Sequence, residues 1–180
     1  MKTSNTLKIL VAGFGGQGSL FFGKVLSYCG LYDGKHVTNL PSYGPEMRGG
    51  TANCGVIISD EEISSPLVLK PDALIAMNLP SYDKFVGSVA PGGIIILDSS
   101  LIDKKVERDD ISTYYVSATR LADKHGLQGL ANIILLGKLL AVTSFTSLET
   151  VEKTFESAVP AAKAHLIPKN IEAVKLGMEQ

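Results

Sequence analysis

Apolar runs alternate with amphipathic stretches through the first two-thirds of the chain. Leu7 to Ala12 is apolar apart from Lys8 and reads as a buried strand. It runs straight into Gly13-Phe14-Gly15-Gly16-Gln17-Gly18. Beyond that turn, Leu20, Phe21, Val25 and Leu26 recur at helical spacing. They predict a helix over Ser19 to Cys29, with Gly30 and Gly34 as stop signals. His36 to Leu40 predicts a short second strand that Pro41 ends, and Thr51 to Ser59 returns to strand character. Asp60-Glu61-Glu62 reads as a turn, and Ser64 to Leu69, with Pro66 inside it, as a weak edge strand. Asp72 to Met77 is another buried strand. Asn78-Leu79-Pro80-Ser81 opens a helix reaching to about Ser88, with Pro80 in its first turn. Pro91-Gly92-Gly93 turns the chain into Ile94 to Leu97, the strongest strand, which ends at Asp98-Ser99-Ser100. Ile102 to Asp110 is charged and exposed in this reading, and Thr113 to Val116 is a last short strand.

From Ala118 the pattern is helical: Ala118 to His125, Leu130 to Val142, Leu148 to Val159 and Lys169 to Met178. Thr146-Ser147-Leu148-Glu149 matches a capping box at the start of the third of these helices. Strands alternating with helices, then helices alone, predict a layered α/β domain with a helical C-terminal third. The stretch from about residue 36 to 69 has strands with no helix between them, so the expected sheet is mixed rather than purely parallel. No repeat or linker divides the chain, and residues 1–180 read as one domain.

Composition narrows the function classes. Apolar residues make up 45% and charged residues 19% of the 180 residues, which is low in charge and fits either a large core or a protein–protein interface. The net charge of −1 argues against general nucleic-acid binding and against a polybasic membrane patch. The longest apolar stretch, Leu127 to Val142, is broken by Gln128, Asn132 and Lys138 and is too short to span a bilayer comfortably. The N-terminus carries no apolar signal region, so the expected compartment is the cytoplasm. Cys29 and Cys54 form no C-x-x-C, and His36, His125 and His165 are scattered. The chain is therefore not expected to hold an iron–sulfur cluster or a structural zinc by itself.

The candidate chemistry sits in two glycine-rich stretches. Gly13, Gly15 and Gly18 spell G-x-G-x-x-G between a strand and a helix, where glycines permit positive φ. The helix N-terminus beyond them presents free N–H groups and the positive dipole end, which suits phosphate or carboxylate. A dinucleotide fingerprint also wants an acidic residue at the end of the second strand. Asp33 lies before that strand, so NAD binding is disfavoured. A tight strand–helix turn without a ligand stays open as the plain reading. Gly18 to Lys24 nearly spells a Walker A loop, but Val25 replaces the metal-binding hydroxyl and the match falls inside an apolar helix pattern. Ser99, Ser100 and Ser42 have no His or Asp spacing for a triad and read as turn formers. Asp98, ending a central strand, is either a ligand contact or the cap of the next turn. Pro41 to Gly50 forms a second polar, glycine-rich loop, with Tyr43, Glu46 and Arg48 beside Gly49 and Gly50.

Four motifs in this order resemble one family. They are Gly13-Phe-Gly-Gly-Gln-Gly18; Tyr43-Gly-Pro-Glu-Met-Arg-Gly-Gly50; Pro71-Asp-Ala-Leu-Ile-Ala76 with Asn78; and Pro91-Gly-Gly93 with Asp98-Ser99-Ser100. Together they look like the gamma subunit of 2-oxoacid:ferredoxin oxidoreductases, and the likeness reaches to Asn132-Ile-Ile-Leu-Leu-Gly137. The Ser42 to Thr51 form is more similar to the 2-oxoglutarate or branched-chain members than to the pyruvate members. The resemblance implies an assembly that converts a 2-oxoacid, coenzyme A and oxidised ferredoxin into acyl-CoA, CO2 and reduced ferredoxin. It implies thiamine diphosphate and iron–sulfur clusters on alpha and beta partners, with or without a separate ferredoxin-like delta subunit. This chain, lacking cluster ligands and a thiamine-binding pattern, would be inert alone and hold none of these cofactors. The residues expected to line a coenzyme A site at the subunit interface are Gly13, Gly15, Gly16, Gln17, Gly18, Tyr43, Glu46 and Arg48. Two alternatives stand beside this: a stand-alone nucleotide-binding regulatory domain, and the small subunit of an indolepyruvate oxidoreductase.

Overall fold

A computed structural model describes residues 6–43 and 51–180. The first strand, β1, spans Thr6–Phe14 and feeds through the glycine turn into helix α1, Ser19–Tyr32. Strands β2 (His36–Tyr43) and β3 (Thr51–Ser59) follow without a helix between them. Next come β4 (Ala73–Ala76), α2 (Leu79–Phe85), β5 (Ile94–Asp98) and β6 (Ser112–Val116). The C-terminal third holds α3 (Ala118–Lys124), α4 (Ala131–Thr143), α5 (Leu148–Ala158) and α6 (Ile167–Met178).

The strands form one sheet in the order β2-β3-β1-β4-β5-β6. β3 runs antiparallel to both of its neighbours, and β1, β4, β5 and β6 run parallel to one another. The mixed sheet and helical C-terminal third agree with the sequence pattern. Alternate strand residues feed two cores. Ile9, Val11, Val56, Ile75 and Ile96 pack under α1 and the C-terminal helices. Leu10, Leu74, Ile95 and Leu97 pack under α2 and the chain around Ile102. Each of these strand residues is at most 5% exposed, so the central strands are apolar on both faces and lose the alternation that marks a surface strand.

Three local expectations are corrected. Pro41 does not end β2, which continues to Tyr43 opposite Ala52. β2 is an edge strand, where a residue without an N–H is tolerated. Ser64 to Leu69 forms no strand. Val68 lies across the sheet face, against Gly55, where a Cβ would come within 3.1 Å of it. α5 is capped by Ser147 rather than Thr146: the Ser147 side chain accepts from the Thr150 N–H at 3.0 Å.

The carboxyl ends of β1 and β4 are where the chain changes direction. β1 leads into α1 on one face and on towards β2, while β4 leads into α2 on the other face and on towards β5. This is a topological switch point, the place where open α/β sheets bind ligands.

Candidate functional site

The glycine turn lies at that switch point. Gly16 has φ 100° and Gly18 has φ 82°, conformations that a side chain resists. The Gln17 N–H donates to the Phe14 carbonyl at 3.1 Å, closing the turn. Its side chain points inward. Gln17 Oε1 accepts from the Phe14 N–H at 2.6 Å and from Asn78 Nδ2 at 2.8 Å, while Nε2 donates to the Met77 carbonyl at 2.9 Å. Asn78 caps α2 in turn, accepting from the Ser81 N–H at 2.9 Å. One glutamine amide thus ties the end of β1 to the end of β4.

The glycines divide by role. A Cβ on Gly13 would lie 2.9 Å from both Gln17 Oε1 and Met77 Cε. One on Gly18 would collide with the Asn132 amide. Both therefore serve packing of the turn. Gly15 and Gly16 are exposed, and a Cβ on Gly16 would meet nothing within 4 Å, so they form the open side of the turn. α1 starts there with no side-chain cap and no acidic residue in its first turn, leaving its N-terminal donors for an anion.

A cleft of about 220 Å³ opens beside the turn. Gly16 and Gln17 line one side, and Met77, Asp98 and Thr119 its floor. Asn132, against the turn, and Asp123 also line the cleft. Asp98 is 2% exposed and internally satisfied: its carboxylate accepts from the Ser100 N–H at 3.0 Å, from the Thr119 N–H at 3.1 Å and from the Thr119 hydroxyl. Of the two roles open to Asp98 from sequence, the cap is realised, and its side chain also lies in the cleft floor. Ser100 Oγ accepts from the Arg120 N–H at 3.1 Å, the turn role expected of it.

Of the residues singled out from sequence, Gly13, Gly15, Gly16, Gln17 and Gly18 lie together in this turn, and Gly16 and Gln17 line the cleft. The second loop departs from Tyr43, at the end of β2, and returns at Thr51, which pairs with Phe14 beside the turn. Glu46 and Arg48 lie outside the described residues. Asp33 caps the far end of α1 and accepts from the Thr150 hydroxyl at 3.1 Å, so it offers no carboxylate to a ribose at the turn. Lys24 and Gly23 of the near-Walker match sit within α1, with Lys24 Nζ donating to the Ala158 carbonyl at 2.9 Å. The sequence reading gave no role to Asn132, Thr119 or Asp123. Asn132 did carry a signal: it is a polar residue within an apolar helix, and it is 5% exposed.

Among the described residues no group of three or more His, Cys, Asp or Glu is placed to hold a metal ion. Cys29 and Cys54 are buried free thiols, and burial pushes both up to about 11. No helix among the described residues is long and apolar enough to cross a membrane.

Residues 8–180 match the family model described as pyruvate ferredoxin/flavodoxin oxidoreductase. The chain belongs to this family. It is 39% identical over 176 residues to the ketoisovalerate oxidoreductase subunit VorA of Methanothermobacter thermautotrophicus, covering 96% of this chain and 36% of VorA. The chain thus spans about a third of that longer relative. It is 37% identical over 175 residues to the 2-oxoglutarate synthase subunit KorC of Methanocaldococcus jannaschii, covering 96% of this chain and 92% of KorC. The crystal structure of the keto/oxoacid ferredoxin oxidoreductase gamma subunit from Geobacter sulfurreducens superposes with a TM-score of 0.81 at 32% identity, covering 96% of each chain. The family resemblance read from the four motifs is borne out.

Proposed function

We propose that the chain is the gamma subunit of a cytoplasmic 2-oxoacid:ferredoxin oxidoreductase, with 2-oxoglutarate as the 2-oxoacid, and that its glycine turn holds the phosphates of coenzyme A at a subunit interface. The observation that carries the site is the open side of the turn. Exposed Gly15 and Gly16, the uncapped start of α1 and the adjoining cleft all lie at the switch point of the sheet. The 37% identity to the 2-oxoglutarate synthase subunit KorC supports the 2-oxoglutarate reading.

In this reading thiamine diphosphate and the iron–sulfur clusters belong to the alpha and beta partners, which supply decarboxylation and electron transfer to ferredoxin. The gamma chain binds, positions and completes the interface, and is inert by itself. The stretch between Tyr43 and Thr51, which returns beside Phe14 at Thr51, is the one through which Glu46 and Arg48 would add to the site.

The test is to purify the complex through a tag on this chain and to assay viologen reduction with coenzyme A and 2-oxoglutarate, 2-oxoisovalerate or pyruvate. The expected result is a coloured complex turning over 2-oxoglutarate fastest. Preference for a branched 2-oxoacid would overturn the substrate assignment. A colourless, partner-free chain would overturn the subunit role.

A further inference from the structure

Asn132 and Asn170 each have a bonded amide nitrogen and an unpartnered buried oxygen, but only Asn132 lines the cleft. It sits in the first turn of α4, is 5% exposed and lines the cleft. Its Nδ2 donates to the Gly18 carbonyl at 3.2 Å, which anchors the amide against the glycine turn. Its Oδ1 is buried and accepts from nothing. A buried amide oxygen without a donor is costly. The fixed Nδ2 bond holds that oxygen in place. α4 also begins at the cleft without a side-chain cap and without an acidic residue in its first turn, so two helix N-termini of 14 and 13 residues, α1 and α4, meet here.

The charges around the cleft sort the ligand. The Asp98 oxygens already accept from N–H and O–H donors, and the exposed Asp123 carboxylate lies on the α3 side. An anion is therefore drawn to the turn and away from Asp123, while Asn132 Oδ1 beside the turn asks for a donor.

We infer that Asn132 is a specificity-determining residue of this cleft: its Oδ1 accepts from an O–H or N–H group that the ligand carries close to its phosphates. This rests on the reading of the glycine turn as a phosphate site. A bare anion satisfies the helix ends and leaves Oδ1 unpaired. Coenzyme A satisfies both, because a hydroxyl and an amide follow its pyrophosphate along the pantetheine arm.

The experiment measures the affinity of the assembled complex for coenzyme A and, by competition, for sulfate, an anion with no hydrogen to donate. Asn132→Ala removes the acceptor. Its coenzyme A affinity should fall about tenfold relative to its sulfate affinity, the loss expected for one hydrogen bond left unmade. Asn132→Asp replaces the Nδ2 donor to the Gly18 carbonyl with an oxygen and adds a negative charge, so it should weaken both ligands. An unchanged ratio in Asn132→Ala, whether both affinities hold or both fall, overturns the inference. Gly16→Asp judges the phosphate site separately. If it weakens both ligands while Asn132→Ala leaves the ratio alone, the site stands and only the role of Asn132 fails. If Gly16→Asp leaves coenzyme A affinity intact, the site reading fails.

Discussion

Gln17 Oε1 and Asn78 Nδ2 lie 2.8 Å apart, and through that bond the glycine turn after β1 is locked to the cap of α2 after β4. The cleft lies at these two strand ends, which the parallel pairing of β1 with β4 also holds in register. Gln17→Glu keeps the oxygens that accept from Phe14 and Asn78 but replaces the donor to the Met77 carbonyl with a second acceptor. The expected loss is about 1–3 kcal/mol of stability. Denaturant unfolding of the full chain measures it, and a variant as stable as the parent would show that the amide is not the tie described.

Gly137 on α4 and Gly177 on α6 mark a second close approach. A Cβ on Gly137 would overlap the Val174 carbonyl oxygen and come within 3.0 Å of the Gly177 Cα. One on Gly177 would overlap the Ile134 carbonyl oxygen. Alanine normally stabilises a helix by up to about 1 kcal/mol over glycine. Here the clash outweighs that gain, because neither backbone can yield without parting the helices. Gly137→Ala should cost about 2 kcal/mol, roughly a 5 °C fall in Tm. A rise in Tm would contradict the packing.

The two thiols give a pH prediction. Burial raises both Cys29 and Cys54 to about 11 from an ordinary value of 9.0. A raised value means that the folded chain holds the proton more tightly than the unfolded one. The associated stability is therefore complete below about pH 9 and is lost as pH rises towards 11. At pH 8 neither thiol should react with a disulfide reagent until the chain is unfolded. Rapid labelling of the native chain would contradict their burial.

Much of the fold was legible because the apolar runs match the buried strands. β1, β3, β5 and the four C-terminal helices lie close to their expected positions, since each carries a strong period or a continuous apolar block. Ser64 to Leu69 misled because Leu67, Val68 and Leu69 have strand-like composition. Sequence does not reveal that Val68 lies over the hydrogen-lined notch of Gly55. Pro41 misled because its effect depends on whether β2 is central or at the edge.

The site was half legible. Glycine spacing after a strand pointed to the turn, and it separates into packing glycines, Gly13 and Gly18, and open ones, Gly15 and Gly16, only once neighbours are known. Asn132 showed in sequence only as a polar residue inside an apolar helix. It lies 114 positions from Gly18 in sequence, and only the docking of α4 against the turn joins them.

Gly16→Asp tests the central claim most directly. The position has room for a side chain, so the variant should fold, at a strain of about 1–3 kcal/mol for a non-glycine residue at φ 100°. The new carboxylate would stand at the uncapped start of α1, where the proposed function puts the phosphates of coenzyme A. Calorimetric titration of coenzyme A into the assembled complex should give an affinity at least about thirtyfold weaker than the parent, the equivalent of about 2 kcal/mol. Equal affinities in parent and variant would contradict the turn as the phosphate site.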